Sequence, residues 1–362
     1  MNGPEIMTSI IADIERDLRE YQPRPAETIP RHSPDLAVAL LQKSLRRGHA
    51  DLALAVADML TREAPDRLWR RLAVIAIEDV GLGDLDAVYT TVVASAFWRR
   101  LARRFGDQRL VSFVVSRLAA ASKCRAADDL LVTATSCPAW RDVHLELAEL
   151  HLDAQLDLVA RDASIERRAI ALRLAMGTDT VGSGTRRSHR RADVVFDFMC
   201  EIGLPHTLVE VSRAAYRQTG EVLCAFLPIL YREFDGNEAV LVSDDFPPET
   251  MIDGIPSWAL DGFTKAGRRA LAYFLNADCG TTRWLRANIL SGERMAILRH
   301  AQFRVEAGLV ADRLVWPTGR NLRRQADLHS WPFPLEDAAE LLSLMQADIG
   351  ILNRAREATH GR

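Results

Sequence analysis

The sequence predicts an all-α fold, a helical bundle followed by a second mainly helical domain. Three observations predict it. Apolar residues recur at helical spacing through most of the chain's 362 residues, 48% of which are hydrophobic, enough for a large core. Proline, glycine and cap residues punctuate that periodicity. One run alone, Ala239–Val240–Leu241–Val242, reads as a strand, and Asp244, Asp245, Pro247 and Pro248 end it at once.

Ile6, Ile10, Ile11, Ile14 and Leu18 line one face of an amphipathic N-terminal helix, which is not the basic-then-apolar pattern of a signal peptide. Pro23, Pro25 and Pro30 then impose an extended linker. Ser33–Pro34 restarts the helix as cap and first-turn proline, Leu36, Leu40, Leu41 and Leu45 form its stripe, and Gly48 stops it. Helices follow from Asp51 and from Pro65–Asp66, and a break at Gly81 and Gly83 precedes a helix capped by Asp84. Further helices are expected over 107–121, 125–136 and from Pro138 to about 160, then over 192–231, 258–275, 282–306 and 335–357. Trp316–Pro317–Thr318–Gly319 and Trp331–Pro332–Phe333–Pro334 read as a structured loop packed by aromatics.

The formal net charge is −3, so overall charge gives no support for nonspecific attraction to nucleic acid or membranes. Lys43, Lys123 and Lys265 are the only lysines, and Arg carries the remaining basic charge. The five cysteines fall at irregular spacing with no CxxC pair, which predicts free thiols in a reducing compartment. No stretch approaches a membrane span. The expectation is a cytoplasmic protein without membrane association.

Three short segments stand out in the first third. They are Leu41–Gln42–Lys43–Ser44–Leu45–Arg46–Arg47–Gly48, Ile77–Glu78–Asp79–Val80–Gly81–Leu82 with Arg70–Arg71–Leu72 before it, and Ala121–Ser122–Lys123–Cys124. Glu78 and Asp79 fall at a helix C-terminus, where the dipole disfavours acids, so a basic group should lie close. Lys43, Arg46, Arg70 and Arg71 are the candidates. Two readings stand for this cluster: ion pairs that fix how helices meet, or a partner-docking or catalytic cluster.

In this order and spacing the three segments resemble the C-terminal helical collar domain of the MgsA/RarA, Werner-helicase-interacting type of clamp-loader-like AAA+ ATPases. The likeness covers about residues 33–135, and in the third segment the family's Pro, Ser and Asn are missing. It implies a compact helical bundle that self-associates, a tetramer being possible. It also implies a place in DNA replication, repair or mobile-element maintenance, with a separate AAA+ ATPase as a possible partner. Gln42, Lys43, Arg46, Arg70, Arg71, Glu78, Asp79 and Gly81 are then the structural or partner-docking residues. The resulting organisation is an N-terminal helix and linker over 1–30, a collar-like domain over 31–176, a flexible Arg/Gly/Ser linker or loop over 177–191, and a helical domain of unknown role over 192–362.

No Gly-Lys dipeptide occurs, so the phosphate cradle of a P-loop ATPase is absent, and no nucleophile or zinc motif replaces it. No catalytic residue, metal ligand or cofactor is therefore predicted, and the expectation is a non-enzymatic scaffold. His144 and His151 share a helix face, but Glu146 and Glu149 do not join them. Asp244, Asp245, Glu249 and Asp253 form an acidic loop that reads as a turn, while an enzyme site built with Asp261 is the competing reading. DNA or RNA binding is the other alternative. It would use Arg99, Arg100, Arg103 and Arg104 between Trp98 and Phe105, Arg186, Arg187, Arg190 and Arg191 in the glycine-containing run, and Arg320, Arg323 and Arg324. Finally, Ile255 to Thr264 is dense in Trp, Asp, Gly and Thr, and Asp261 or Thr264 is placed to cap a helix beginning near Lys265.

Overall fold

The computed structural model describes residues 3–177 and 191–359. It is an all-α protein in which two antiparallel strand pairs are the only named sheets among the described residues. No described helix is long and apolar enough to cross a membrane.

The chain divides into two compact units, and the division interleaves the sequence. The first holds Met1–Pro23, Trp69–Val242 and Arg313–Ser330; the second holds Arg24–Leu68, Ser243–Asp312 and Trp331–Arg362. It differs from the linear order expected above. The helices that flank the glycine-containing run, Ile165–Ala175 and Ala192–Glu201, pack on one another inside the first unit, so composition alone did not mark a domain boundary there. Leu41–Gly48 falls in the second unit, and the other two motif segments fall in the first.

In the first unit the Gly3–Glu20 helix buries Ile6, Ile11, Ile14 and Leu18 against the long Leu85–Phe105 helix. Asp84 caps that long helix by accepting from the Ala87 amide, as its sequence position predicts. The Asp107–Ala120 helix returns antiparallel along it, and the Ala126–Ser136 helix packs on Pro317–His329. The Pro317–His329 helix corrects the expected loop: Pro317 sits at its first turn, where a missing N–H costs nothing. The predicted strand Val240–Val242 pairs antiparallel with Arg313–Val315, whose other side meets Lys123.

In the second unit the Pro34–Arg46 and Ala50–Glu63 helices form a pair. Ser33 caps the former, and the chain leaves it through Gly48 at φ +72°. A hairpin joins Met251–Ile252 to Ile255–Pro256 through Asp253 and Gly254, both at positive φ, which is the geometry an Asp-Gly hairpin turn supplies. The Lys265–Phe274 helix packs on Ile349–Thr359, and Gly280–Asn288 on Leu335–Ala347, around Leu271, Phe274, Leu285, Leu298, Leu341 and Leu352. The helices expected over 282–306 and 335–357 are each broken, at Ile289–Glu293 and at Asp348. Helical periodicity continues through both breaks, so the pattern alone did not locate them.

Candidate functional site

Two buried ionic clusters gather most of the motif residues, one in each unit. In the second unit Lys43 projects from the Pro34–Arg46 helix, and its Nζ lies 2.9 Å from Asp261 Oδ2. Asp261 is fully buried and Lys43 is 4% exposed. Burial, opposed by Asp261, holds the Lys43 ammonium below its ordinary value. Asp261 Oδ2 is within ion-pair distance but is not aligned for a hydrogen bond. Its Oδ1 accepts the Phe263 amide at 3.1 Å, and its carbonyl accepts the Thr264 amide and hydroxyl. Thr264 then caps the Lys265–Phe274 helix through the Gly267 amide, as anticipated. A Cβ at Gly267 would fall 1.9 Å from the Asp261 carbonyl oxygen, so only glycine closes this turn.

Beside this pair, Arg46 Nη1 donates to the Ala307 carbonyl at 3.3 Å and Arg47 Nη2 to the Glu306 carbonyl at 2.7 Å. Both carbonyls close the π-helical turn Phe303–Ala307, where cations complement the helix dipole. The Arg47 guanidinium sits 4.6 Å from the Trp258 ring centroid and 4.9 Å from that of Phe246, and burial pushes it down to about 10. Glu306 gives its carboxylate to Arg356, Gln302 and Ser257. Burial alone would raise Glu306, but Arg356 and Gln302 hold it below the ordinary carboxylate range.

In the first unit the second and third motif segments meet backbone to backbone. The Cys124 amide donates to the carbonyls of Asp79 and Val80 at 2.9 and 3.1 Å. A Cβ at Gly81, whose φ is +48°, would lie 2.7 Å from the Cys124 carbonyl oxygen, and one at Gly83 would lie 2.3 Å from that of Ser122. The basic partner expected for Glu78 and Asp79 is Arg125, which was not among the candidates. Its guanidinium pairs with Glu78, Asp79 and Asp128. Burial opposes the charge of Arg125, but the three carboxylates outweigh it and raise the group well above its ordinary value. Lys43 serves Asp261 instead, and Arg70 donates to the Thr219 carbonyl at 2.9 Å. Arg71 is half-buried on the helix of Arg70, and Gln42 is half-buried beside Lys43. Lys123, almost fully buried, donates from Nζ to the carbonyls of Leu118, Ala119 and Ala121, closing the end of the Asp107–Ala120 helix.

The arginines proposed for nucleic acid divide. Arg100 and Arg104 both pair with Glu15 of the N-terminal helix. Arg99 lies 4.8 Å over the Trp98 ring, which stacks on Trp69, and Arg103 donates to the Arg99 carbonyl. Trp98 and Phe105 are half-buried. Arg186, Arg187 and Arg190 lie outside the described residues, and Arg191 is exposed just before the Ala192–Glu201 helix.

The remaining polar candidates have local structural roles. His144 contacts the Ala134 carbonyl at 2.5 Å, and His151 caps the Leu152–Arg161 helix. Asp244 accepts the Val310 amide, Asp253 forms the hairpin turn, and Asp245 is exposed. Among the described residues no three of His, Cys, Asp and Glu are grouped as metal ligands would be.

Sequence reasoning missed Arg125, Glu306 and Arg356. Arg125 is adjacent to the third segment and was legible as a fifth basic candidate. The Glu306–Arg356 pair joins elements fifty residues apart and leaves no local pattern. No family model, curated protein or solved structure matches the chain.

Proposed function

We propose that this chain is a non-enzymatic oligomerising or scaffold protein related to the clamp-loader-like collar. In this reading it acts in DNA replication, repair or mobile-element maintenance and joins a separate AAA+ ATPase. The observation that carries the scaffold part is the junction of the second and third motif segments. There Gly81 and Gly83 admit the backbone of Ser122–Cys124, and Arg125 ties Glu78, Asp79 and Asp128 together. These residues fix helix ends to one another, which is what a module that presents rigid helical surfaces requires. The process and the partner rest on the sequence resemblance.

The test is the mass of the purified chain in solution, measured by light scattering across a range of concentration. A stable tetramer or larger assembly supports the reading. A strict monomer of 40.4 kDa at every concentration overturns it.

A further inference from the structure

Phe263 of the second unit is 66% exposed, an unusual position for a large aromatic ring beside a buried acid. It makes an edge-to-face contact with Phe303 at a centroid distance of 5.8 Å, which helps hold the exposed ring in place. Three cations accompany it, in contact or in sequence. Arg268 donates to the Phe263 carbonyl at 3.1 Å, the Arg299 guanidinium lies 5.8 Å from the ring centroid, and Lys265 follows two residues on. The Arg299 stem is set by Gly262, where a Cβ would fall 2.9 Å from Arg299 Cγ.

Several other cations among the described residues are paired. Arg100, Arg104, Arg125, Arg168 and Arg356 each pair with a carboxylate. Among the described residues, Lys265, Arg268 and Arg299 have no carboxylate within ion-pair distance. The Lys265–Phe274 helix carries no acid, and its exposed residues Lys265, Arg268, Arg269, Ala272 and Tyr273 recur at helical spacing as one stripe. Lys265 and Arg268 also stand in the first turns of that helix, where the dipole disfavours positive charge. Helix stability therefore does not account for them.

We propose that Phe263 with Lys265, Arg268 and Arg299 forms a contact site for single-stranded nucleic acid. The exposed Phe263 ring stacks an unpaired base, and the three cations take the flanking phosphates. A duplex keeps its bases stacked and offers no face to the ring, so the aromatic group selects single strands. This site uses none of the arginines of the Leu85–Phe105 helix, and it does not depend on the scaffold reading.

Fluorescence anisotropy of a labelled oligothymidylate and a matched duplex, with the full chain over about 50 to 200 mM salt, tests it. Saturable binding of the single strand is expected, with a log–log salt slope of about −2 for three phosphates. Phe263→Ala should weaken single-strand binding roughly 5- to 100-fold, and Phe263→Tyr should retain it. Lys265→Glu with Arg268→Glu should abolish it, whereas Arg99→Ala with Arg103→Ala should leave it unchanged. All six substitutions are at five exposed positions, and unchanged thermal unfolding confirms that the fold persists. Absence of single-strand binding at low salt overturns the proposal. So does binding that Phe263→Ala leaves intact, or equal capture of polyglutamate in a comparable assay with Lys265→Glu/Arg268→Glu insensitive.

Discussion

Lys43 and Asp261 form an ion pair at 2.9 Å with both residues almost wholly withdrawn from water. They come from opposite halves of the sequence, and each was noticed separately, one in a motif and one in an unassigned turn. Their meeting gives both features one structural role. Asp261 anchors the turn that starts the Lys265–Phe274 helix, and Lys43 ties that turn to the Pro34–Arg46 helix. A buried pair of this kind loses hydration on both sides, so its value lies less in net stability than in specifying one arrangement of the helices.

The Arg125 cluster should behave as a buried hub. Arg125→Met removes the guanidinium that pairs with the fully buried Asp79 and should cost about 3–5 kcal/mol in urea unfolding. Arg125→Lys should recover part of that, because a single ammonium cannot fork to three carboxylates. A cost below about 1 kcal/mol for Arg125→Met would show that the cluster is not structural.

Two glycines are placed where no side chain fits. Gly81→Ala combines a left-handed backbone with a 2.7 Å approach to the Cys124 carbonyl, and should destabilise the first unit by about 1–3 kcal/mol. Gly267→Ala meets the Asp261 carbonyl oxygen and must open the Asp261–Thr264 turn. Amide exchange of Thr264 and Gly267, the donors of that turn, should then rise in Gly267→Ala. Unchanged protection would contradict the geometry.

His300 predicts a pH dependence. Its ring lies 4.3 Å from the Trp331 centroid, and Arg304 Nε approaches its Nε2 at 3.5 Å as a donor, which suits an unprotonated nitrogen. Burial, then Arg304, pushes its value from 6.5 down to about 4. The folded value is the lower one, so the contribution is full above pH 6.5 and is lost as pH falls through 4. The loss should amount to about 3 kcal/mol. The difference in unfolding free energy between the wild type and His300→Gln should change over that window. A constant difference would refute the assignment.

Much of the helical framework was legible from periodicity, caps and breakers. Ser33, Asp84 and Thr264 cap where their positions require, because a cap is a local interaction between neighbours in sequence. The Pro317–His329 helix was not legible, since Trp-Pro and Gly signals resemble a loop whichever side of a helix start they occupy. The interleaved units were not legible either, because burial against distant segments leaves no periodic signature. For the same reason Lys43 stood as one of four candidate partners for Glu78 and Asp79, whereas it pairs with Asp261. A buried charge announces that it needs a partner, but not which one, and Asp261 lies far from any local pattern. Arg125 adjoins the third segment but lies outside it, so the motif residues alone do not point to it.

The measurement that most directly tests whether the motif residues hold the fold together is a double-mutant cycle on this pair, Lys43→Met and Asp261→Asn, read by urea unfolding of the full chain. Each single substitution should be strongly destabilising, and the double should cost less than their sum by about 0.5–3 kcal/mol. Strict additivity, with each single substitution near neutral, would contradict the account.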